Sequence, residues 1–183
     1  MSVRLHKQRL VWALVLFAFG AAAEQLGGDF TLTADDGRRL TLGQLAGRPV
    51  LLAFGYTHCP DICPTTLAQL SRAVDMLEDG NVHVLFVTLD PGRDDADRLS
   101  GYVKFFDRRF VGLTGTAEEI AAVARAYGVR FDTYKDGGAL AYTVDHSTDI
   151  YLLDEAGGIA AIFPFGTPAD RIADAIATLG TDR

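Results

Sequence analysis

Cysteine is scarce in this chain, with two in 183 residues, and so are Trp, with one, and Pro, with six. Two thiols cannot staple a small scaffold, so stability has to come from a hydrophobic core. Positive charge is also in short supply. Seventeen Lys and Arg stand against 24 Asp and Glu, for a formal net charge of −7. No basic patch interleaved with aromatics is present, which argues against a nucleic-acid surface. Gly and Pro are scattered rather than repeated, which excludes fibrous and low-complexity chains. No apolar run reaches the ~20 residues that a helix needs to cross a bilayer comfortably. What remains is 49% hydrophobic and 22% charged, the composition of a globular protein with room for one domain at ~150 residues each.

The N-terminus carries an address. Arg4, Lys7 and Arg9 precede an uncharged apolar run, Leu10–Ala23, that closes on Ala21-Ala22-Ala23. Positive, apolar, then small is the order of a secretory signal. Retained instead of cleaved, residues 10–23 would form an N-terminal membrane anchor with the body outside. Either way residues 1–23 form the targeting segment. Residues 24–183 are expected in the periplasm or at the outer face of the inner membrane. Cleavage removes three bases and no acid, leaving a more acidic body suited to basic protein partners. An exported compartment is oxidising, so the two cysteines can pair unless something holds them otherwise.

The body alternates strand and helix. Phe30–Thr41 reads as a small hairpin turned at Asp36-Gly37, followed by a helical turn over Thr41–Ala46. Pro49–Tyr56 and Val82–Leu89 are continuous apolar runs of strand length, as doubly covered strands should be. Between them Pro64–Glu78 reads as a helix, with Pro64 at its first position. Asp94–Phe106 is a second helix and Phe110–Leu113 a short strand. Thr116–Tyr127 is a helix with a Thr116/Glu119 capping box and Gly128 as its stop. Val129–Thr143, which includes Asp136-Gly137-Gly138, reads as an irregular mobile loop. Ser147–Asp154 and Ile159–Phe163 form a hairpin, and a last helix follows Thr167-Pro168. This order resembles the α/β thioredoxin-like fold with an N-terminal hairpin extension. The strands at 49–56 and 82–89 are then parallel neighbours. Sites in such sheets lie beyond the carboxyl ends of the strands, where Thr57-His58-Cys59 and Asp90-Pro91 stand.

Cys59-Pro60-Asp61-Ile62-Cys63-Pro64 sets two thiols four residues apart at a loop-to-helix junction. Cys63 is expected at or near the helix N-cap, where the positive end of the helix lowers a thiol pKa. The pair can hold a soft metal ion or close on itself. As a mere structural disulfide it would close so short a loop that it stabilises little. Three of the four histidines are poorly placed for ligation. His6 lies in the targeting segment. His83 opens the second parallel strand, ~20 Å from the cysteine edge at ~3.3 Å per residue. His58 adjoins Cys59 but tends to point away from it. His146 stands just before the strand at 147–154, and lies at the cysteine edge if that strand is antiparallel to the central one. Two thiolates and an imidazole are soft and few, which favours Cu(I). Zinc would want a fourth ligand, for which Asp61, Asp90 or water are candidates.

Gly55-Tyr56-Thr57-His58-Cys59-Pro60-Asp61-Ile62-Cys63-Pro64 resembles the signature of the Sco (SenC) copper proteins. Thr88-Leu89-Asp90-Pro91-Gly92-Arg93-Asp94 and Val144-Asp145-His146-Ser147 resemble two further family blocks, in the same order. The resemblance implies copper bound by Cys59, Cys63 and His146. It also implies a metallochaperone role in maturing the binuclear copper centre of cytochrome c oxidase, by copper delivery or thiol reduction. The implied partners are the copper-domain subunit of that oxidase or another copper chaperone. Members of the family usually keep a membrane anchor.

Three rivals stand beside this reading. A dedicated thiol–disulfide oxidoreductase would use Cys59 and Cys63 as its redox pair. A general one is disfavoured, because the one Trp, Trp12, lies in the targeting segment and no proline falls between Pro91 and Pro164. Asp145-His146 thus stands where such enzymes carry a cis-proline. A peroxidase of the peroxiredoxin type would need Thr57 at a different offset from Cys59. A metal sensor would need a DNA-binding or signalling segment, and none is present.

Overall fold

The computed structural model describes residues 26–77, 80–135 and 142–181. The expected targeting segment, residues 1–23, and Glu78 and Asp136-Gly137-Gly138 lie outside the described residues. The element order is β1 (Thr31–Ala34), β2 (Arg39–Thr41), a 3-10 turn (Leu42–Leu45), β3 (Val50–Gly55), α1 (Ile62–Asp75), β4 (His83–Thr88), α2 (Ala96–Phe106), β5 (Val111–Thr114), α3 (Ala117–Ala126), β6 (Phe131–Lys135), β7 (Tyr142–His146), β8 (Ile150–Leu153), β9 (Ile159–Phe163) and α4 (Ala169–Thr181).

Seven strands form one mixed sheet in the order β2-β1-β5-β4-β3-β8-β9. β3 runs parallel to β4, and β4 to β5. β8 runs antiparallel to β3, with Ala53 opposite Ile150 and Val50 opposite Leu153. All six residues of β3 are buried, as its unbroken apolar run requires of a strand covered on both faces. Gly55 of β3 and Phe86 of β4 face α1, and Tyr102 of α2 packs on Phe86, so α1 and α2 share a face. α4 packs beside α1. On the other face, Tyr127 at the end of α3 meets Phe30, Phe54 and Tyr151 edge-on or tilted, with centroids 5.5–6.1 Å apart. This is the thioredoxin-like α/β arrangement.

Local signals explain most boundaries. Glu119 N–H donates to Thr116 Oγ1 at 3.2 Å, and Thr116 N–H donates back to Glu119 Oε2 at 2.9 Å, forming the capping box of α3. Gly128 ends that helix at φ +70°, a conformation open to glycine. Two expectations fail. Helix α1 begins at Ile62, so Pro64 sits in the third helical position. That is tolerated because the first-turn N–H groups have no helical acceptor in any case. Of Val129–Thr143, read as an irregular loop, Phe131–Lys135 and Tyr142-Thr143 lie in strands. β6 and β7 pair antiparallel, with Phe131 opposite His146 and Lys135 opposite Tyr142, as a two-stranded sheet of their own. His146 therefore ends β7, with β8 starting at Ile150.

Candidate metal centre

The site grows from the carboxyl ends of β3 and β4. After Gly55 the chain turns through Tyr56-Thr57-His58, and Cys59 N–H donates to the Tyr56 carbonyl at 3.2 Å. Cys63 lies in the first turn of α1, one of whose free donors is its own N–H. That N–H donates to Cys59 Sγ at 3.4 Å. Asp61, the residue at the cap position, makes no side-chain cap bond. The Cys59 sulfur thus serves where a capping side chain would, and it receives the positive end of the helix.

The helix end does not lower the Cys63 thiol as the sequence suggested. Cys63 is 2% exposed. Burial above all, and then the Cys59 sulfur beside it, push its thiol well above the usual range, against an opposing backbone hydrogen bond from Tyr56. Desolvation disfavours the charged form more than the helix end favours it. Gly55 makes the space for this sulfur. A Cβ there would lie 2.7 Å from Cys63 Sγ and 2.8 Å from the Phe86 ring. Gly55→Ala is therefore expected to cost ~1–3 kcal/mol by overpacking and to weaken metal uptake. Thermal unfolding and copper titration measure both, and unchanged values in both would mean that the sulfur is free to shift.

His146 comes to this sulfur from 83 residues away in sequence, with Nε2 3.7 Å from Cys63 Sγ. Its Nδ1 lies 2.7 Å from the Ser147 carbonyl oxygen. A carbonyl only accepts, so Nδ1 carries the proton and Nε2 offers its lone pair to the thiol side. A backbone partner of this kind commonly orients a ligating imidazole. The Tyr56 ring meets the imidazole edge-on, with centroids 6.1 Å apart at 81°. Tyr56, Cys59, Asp61, Tyr134, Val144 and His146 line one groove at this edge.

The other histidine and carboxylate candidates fall elsewhere. His83 opens β4 opposite Val50, at the far end of the sheet. Burial, and then Arg48, push its pKa down. His58 is exposed and faces Asp94, 3.8 Å away. Asp90 has both oxygens engaged, Oδ1 by the Tyr142 hydroxyl at 2.6 Å and Oδ2 by Arg93 Nε.

Among the described residues, the group of three ligand-type atoms lying within 4.8 Å of one another is His58, Asp90 and Asp94. Its carboxylates are already satisfied. Asp94 is fully buried and accepts from Thr57 N–H at 2.9 Å, Thr57 Oγ1 at 2.6 Å and Thr88 Oγ1 at 2.7 Å. Cys59, Cys63 and His146 do not form so tight a group, although Cys63 and His146 touch. The half-buried Cys59 sulfur is tied to this contact through the Cys63 N–H. The donor set fits a monovalent soft cation, since two sulfurs and one imidazole satisfy its low coordination number. Sequence reasoning missed Gly55, Arg93, Asp94 and Tyr142 as supporting residues.

A family model described as SCO1/SenC matches residues 20–181. The chain belongs to the SCO1/SenC family. It is 38% identical over 157 residues to the human mitochondrial SCO1 homologue, covering 84% of this chain and 52% of that protein. It is 33% identical over 159 residues to SenC of Rhodobacter capsulatus, covering 86% of this chain and 72% of that protein. The chain spans about half the length of several curated relatives that it matches. Among solved structures, Arabidopsis thaliana ScoI with copper bound superposes at a TM-score of 0.81. It is 35% identical, with 86% of this chain and 99% of that one covered. Yeast Sco1 with copper bound superposes at 0.80 with 32% identity, covering 87% of this chain and 90% of that one.

Proposed function

We propose that this chain is a copper metallochaperone of an exported compartment, holding Cu(I) through Cys59, Cys63 and His146. Its acceptor is the copper-domain subunit of cytochrome c oxidase, and it assists assembly of the binuclear copper centre there. The single observation behind this reading is the meeting of Cys63 Sγ and His146 Nε2 at 3.7 Å, with the Cys59 sulfur accepting from the Cys63 N–H. Family membership supports it, as do relatives whose structures hold copper. The copper is cargo. The protein's own residues present two sulfurs and a bare imidazole nitrogen, and exclude water on the Cys63 side. They leave Cys59 at the groove, where an incoming thiolate can compete for the ion.

One observation favours a second reading, reduction of the acceptor's cysteines. Cys59 is the accessible sulfur and takes the Cys63 N–H, while Cys63 is buried behind it. Cys59 would attack an acceptor disulfide and release one acceptor thiol. Cys63, losing its proton, would then attack Cys59 and release the second. The acceptor disulfide gains two electrons and two protons as Cys59–Cys63 becomes oxidised.

Two mixtures separate the readings: copper-loaded protein with a reduced soluble oxidase copper domain, and reduced metal-free protein with that domain in its disulfide form. Copper delivery predicts that metal moves while Cys59 and Cys63 end reduced. Thiol reduction predicts acceptor thiols and a Cys59–Cys63 disulfide from metal-free protein. A reduced, purified sample that takes up no copper would overturn the first reading.

A further inference from the structure

Among the described residues, β6 and β7 pair strand to strand only with each other, so something else has to fix the distance of His146 from the thiols. Along β7 the exposure alternates. Tyr142, Val144 and His146 turn inward, whereas Thr143 and Asp145 are exposed. Val144 is buried and its backbone hydrogen-bonds the Tyr56 side chain. Tyr142 lies at the other end of the inward row, four residues and therefore ~13 Å from His146 at ~3.3 Å per residue. It is gripped from the turn after β4. The Arg93 guanidinium lies over the Tyr142 ring, 3.6 Å from its centroid, and its Nη1 donates to the Tyr142 carbonyl at 3.1 Å. Arg93 Nε pairs with Asp90, and the Tyr142 hydroxyl donates to the same carboxylate at 2.6 Å. The guanidinium also sits 5.9 Å from the centroid of Tyr56, whose ring abuts His146.

Among the described residues, one guanidinium nitrogen, Nη2, is buried without a hydrogen-bond partner. A flat cation stacked on a ring is directional, and that suits a part whose task is placement.

We propose that Arg93 is a positioning residue. Stacked on Tyr142 and tied to Asp90, it anchors the hairpin at one end of β7 and so sets how closely His146 approaches the two thiols at the other. The residue touches neither the sulfurs nor the imidazole and acts through Tyr142 and Tyr56. This inference rests on the copper reading for its metal readout, but its mechanical part stands without metal.

The test uses Arg93→Met, which keeps the apolar stem and removes the fork, beside Arg93→Lys and Tyr142→Leu. Two readouts are taken. The first is amide hydrogen exchange at residues 142–146 in metal-free protein. The second is the visible absorption of the complex with Cu(II) added alone, where thiolate and imidazole ligation leave separate marks.

With Arg93→Met, exchange at 142–146 is expected to rise at least tenfold while β3 and β4 stay protected. The Cu(II) spectrum should move toward that of His146→Ala. Lys keeps the charge but loses the fork, so it should rescue only part of either effect. Tyr142→Leu removes the other half of the stack and should reproduce Arg93→Met, which keeps the test decisive should that variant fail to fold. Wild-type exchange and a wild-type Cu(II) spectrum in folded Arg93→Met would overturn the proposal. If the wild-type protein bound no copper, the function reading would fail on its own, and exchange would still decide whether Arg93 holds the hairpin.

Discussion

Cys63→Ser and Cys59→Ser are each expected to lower Cu(I) affinity by two to three orders of magnitude, and His146→Ala by a smaller factor. The size follows from sharing. A four-ligand structural zinc site is worth ~10–16 kcal/mol, roughly 3 kcal/mol per ligand, and each ~1.4 kcal/mol is tenfold in affinity. Sulfur holds Cu(I) better than imidazole does, so the thiols carry more than an equal share. For Cu(II), the harder ion, the order reverses, and His146→Ala should remove most binding. The fold should survive Cys63→Ser, because a serine hydroxyl fits the slot beside Gly55 and can donate to His146 Nε2. Competition against a chelator of known Cu(I) affinity measures the loss, and circular dichroism checks the fold. If His146→Ala leaves both affinities untouched, His146 is not the third ligand.

Asp94→Ala is expected to be the most damaging single change to the fold around the site. The buried Asp94 carboxylate gathers the Thr57 N–H, the Thr57 hydroxyl and the Thr88 hydroxyl. Its backbone N–H also donates to the Asp90 carbonyl at 3.0 Å, and its carbonyl accepts from Thr114 Oγ1 at 2.9 Å. Alanine keeps the backbone contacts and orphans three donors, the buried Thr88 hydroxyl and the two part-buried donors of Thr57. At ~1–3 kcal/mol for each unsatisfied group, partly relieved by entering water, the loss is ~3–5 kcal/mol. Thr57 stands two residues before Cys59, so the loop carrying that sulfur should loosen as well. Urea unfolding gives the stability, and alkylation rates of Cys59 in native protein give the loop. Asp94→Asn, which keeps the shape, should lose less in both. An unchanged unfolding midpoint for Asp94→Ala would mean that the three donors find other partners.

Periodicity carried the fold well. The apolar runs of β3 and β4, the Thr116/Glu119 box and the Gly128 stop are local signals, and the structure follows them. The position of His146 at the cysteine edge was legible for a topological reason. An antiparallel β8 brings the chain back to the cysteine edge just before it starts, and no neighbouring residue is needed to see that.

Two local features misled. Pro64 suggested a helix start, yet a proline is equally free at the third position, and the two-residue shift moved Cys63 from the helix mouth into the core. Desolvation then reversed the expected direction of its pKa. Asp136-Gly137-Gly138 dominated the reading of 129–143 as loop. The inward–outward alternation of Tyr142, Val144 and His146 against Thr143 and Asp145 was the signal for β7. The supporting roles of Arg93, Asp94 and Tyr142 depend on partners 37 to 52 residues distant in the chain, and no local pattern announces such contacts.

The contact between Cys63 and His146 spans 83 positions of the chain. An ion seated between them would be a stitch across nearly half the polypeptide. By the loop-closure relation used for covalent cross-links, a tie of that span restricts the unfolded ensemble by ~4–5 kcal/mol. Loaded protein should thus melt higher than empty protein by more than local ordering explains. Surrendering the cargo would cut the stitch, leaving the emptied carrier looser and more open to proteolysis.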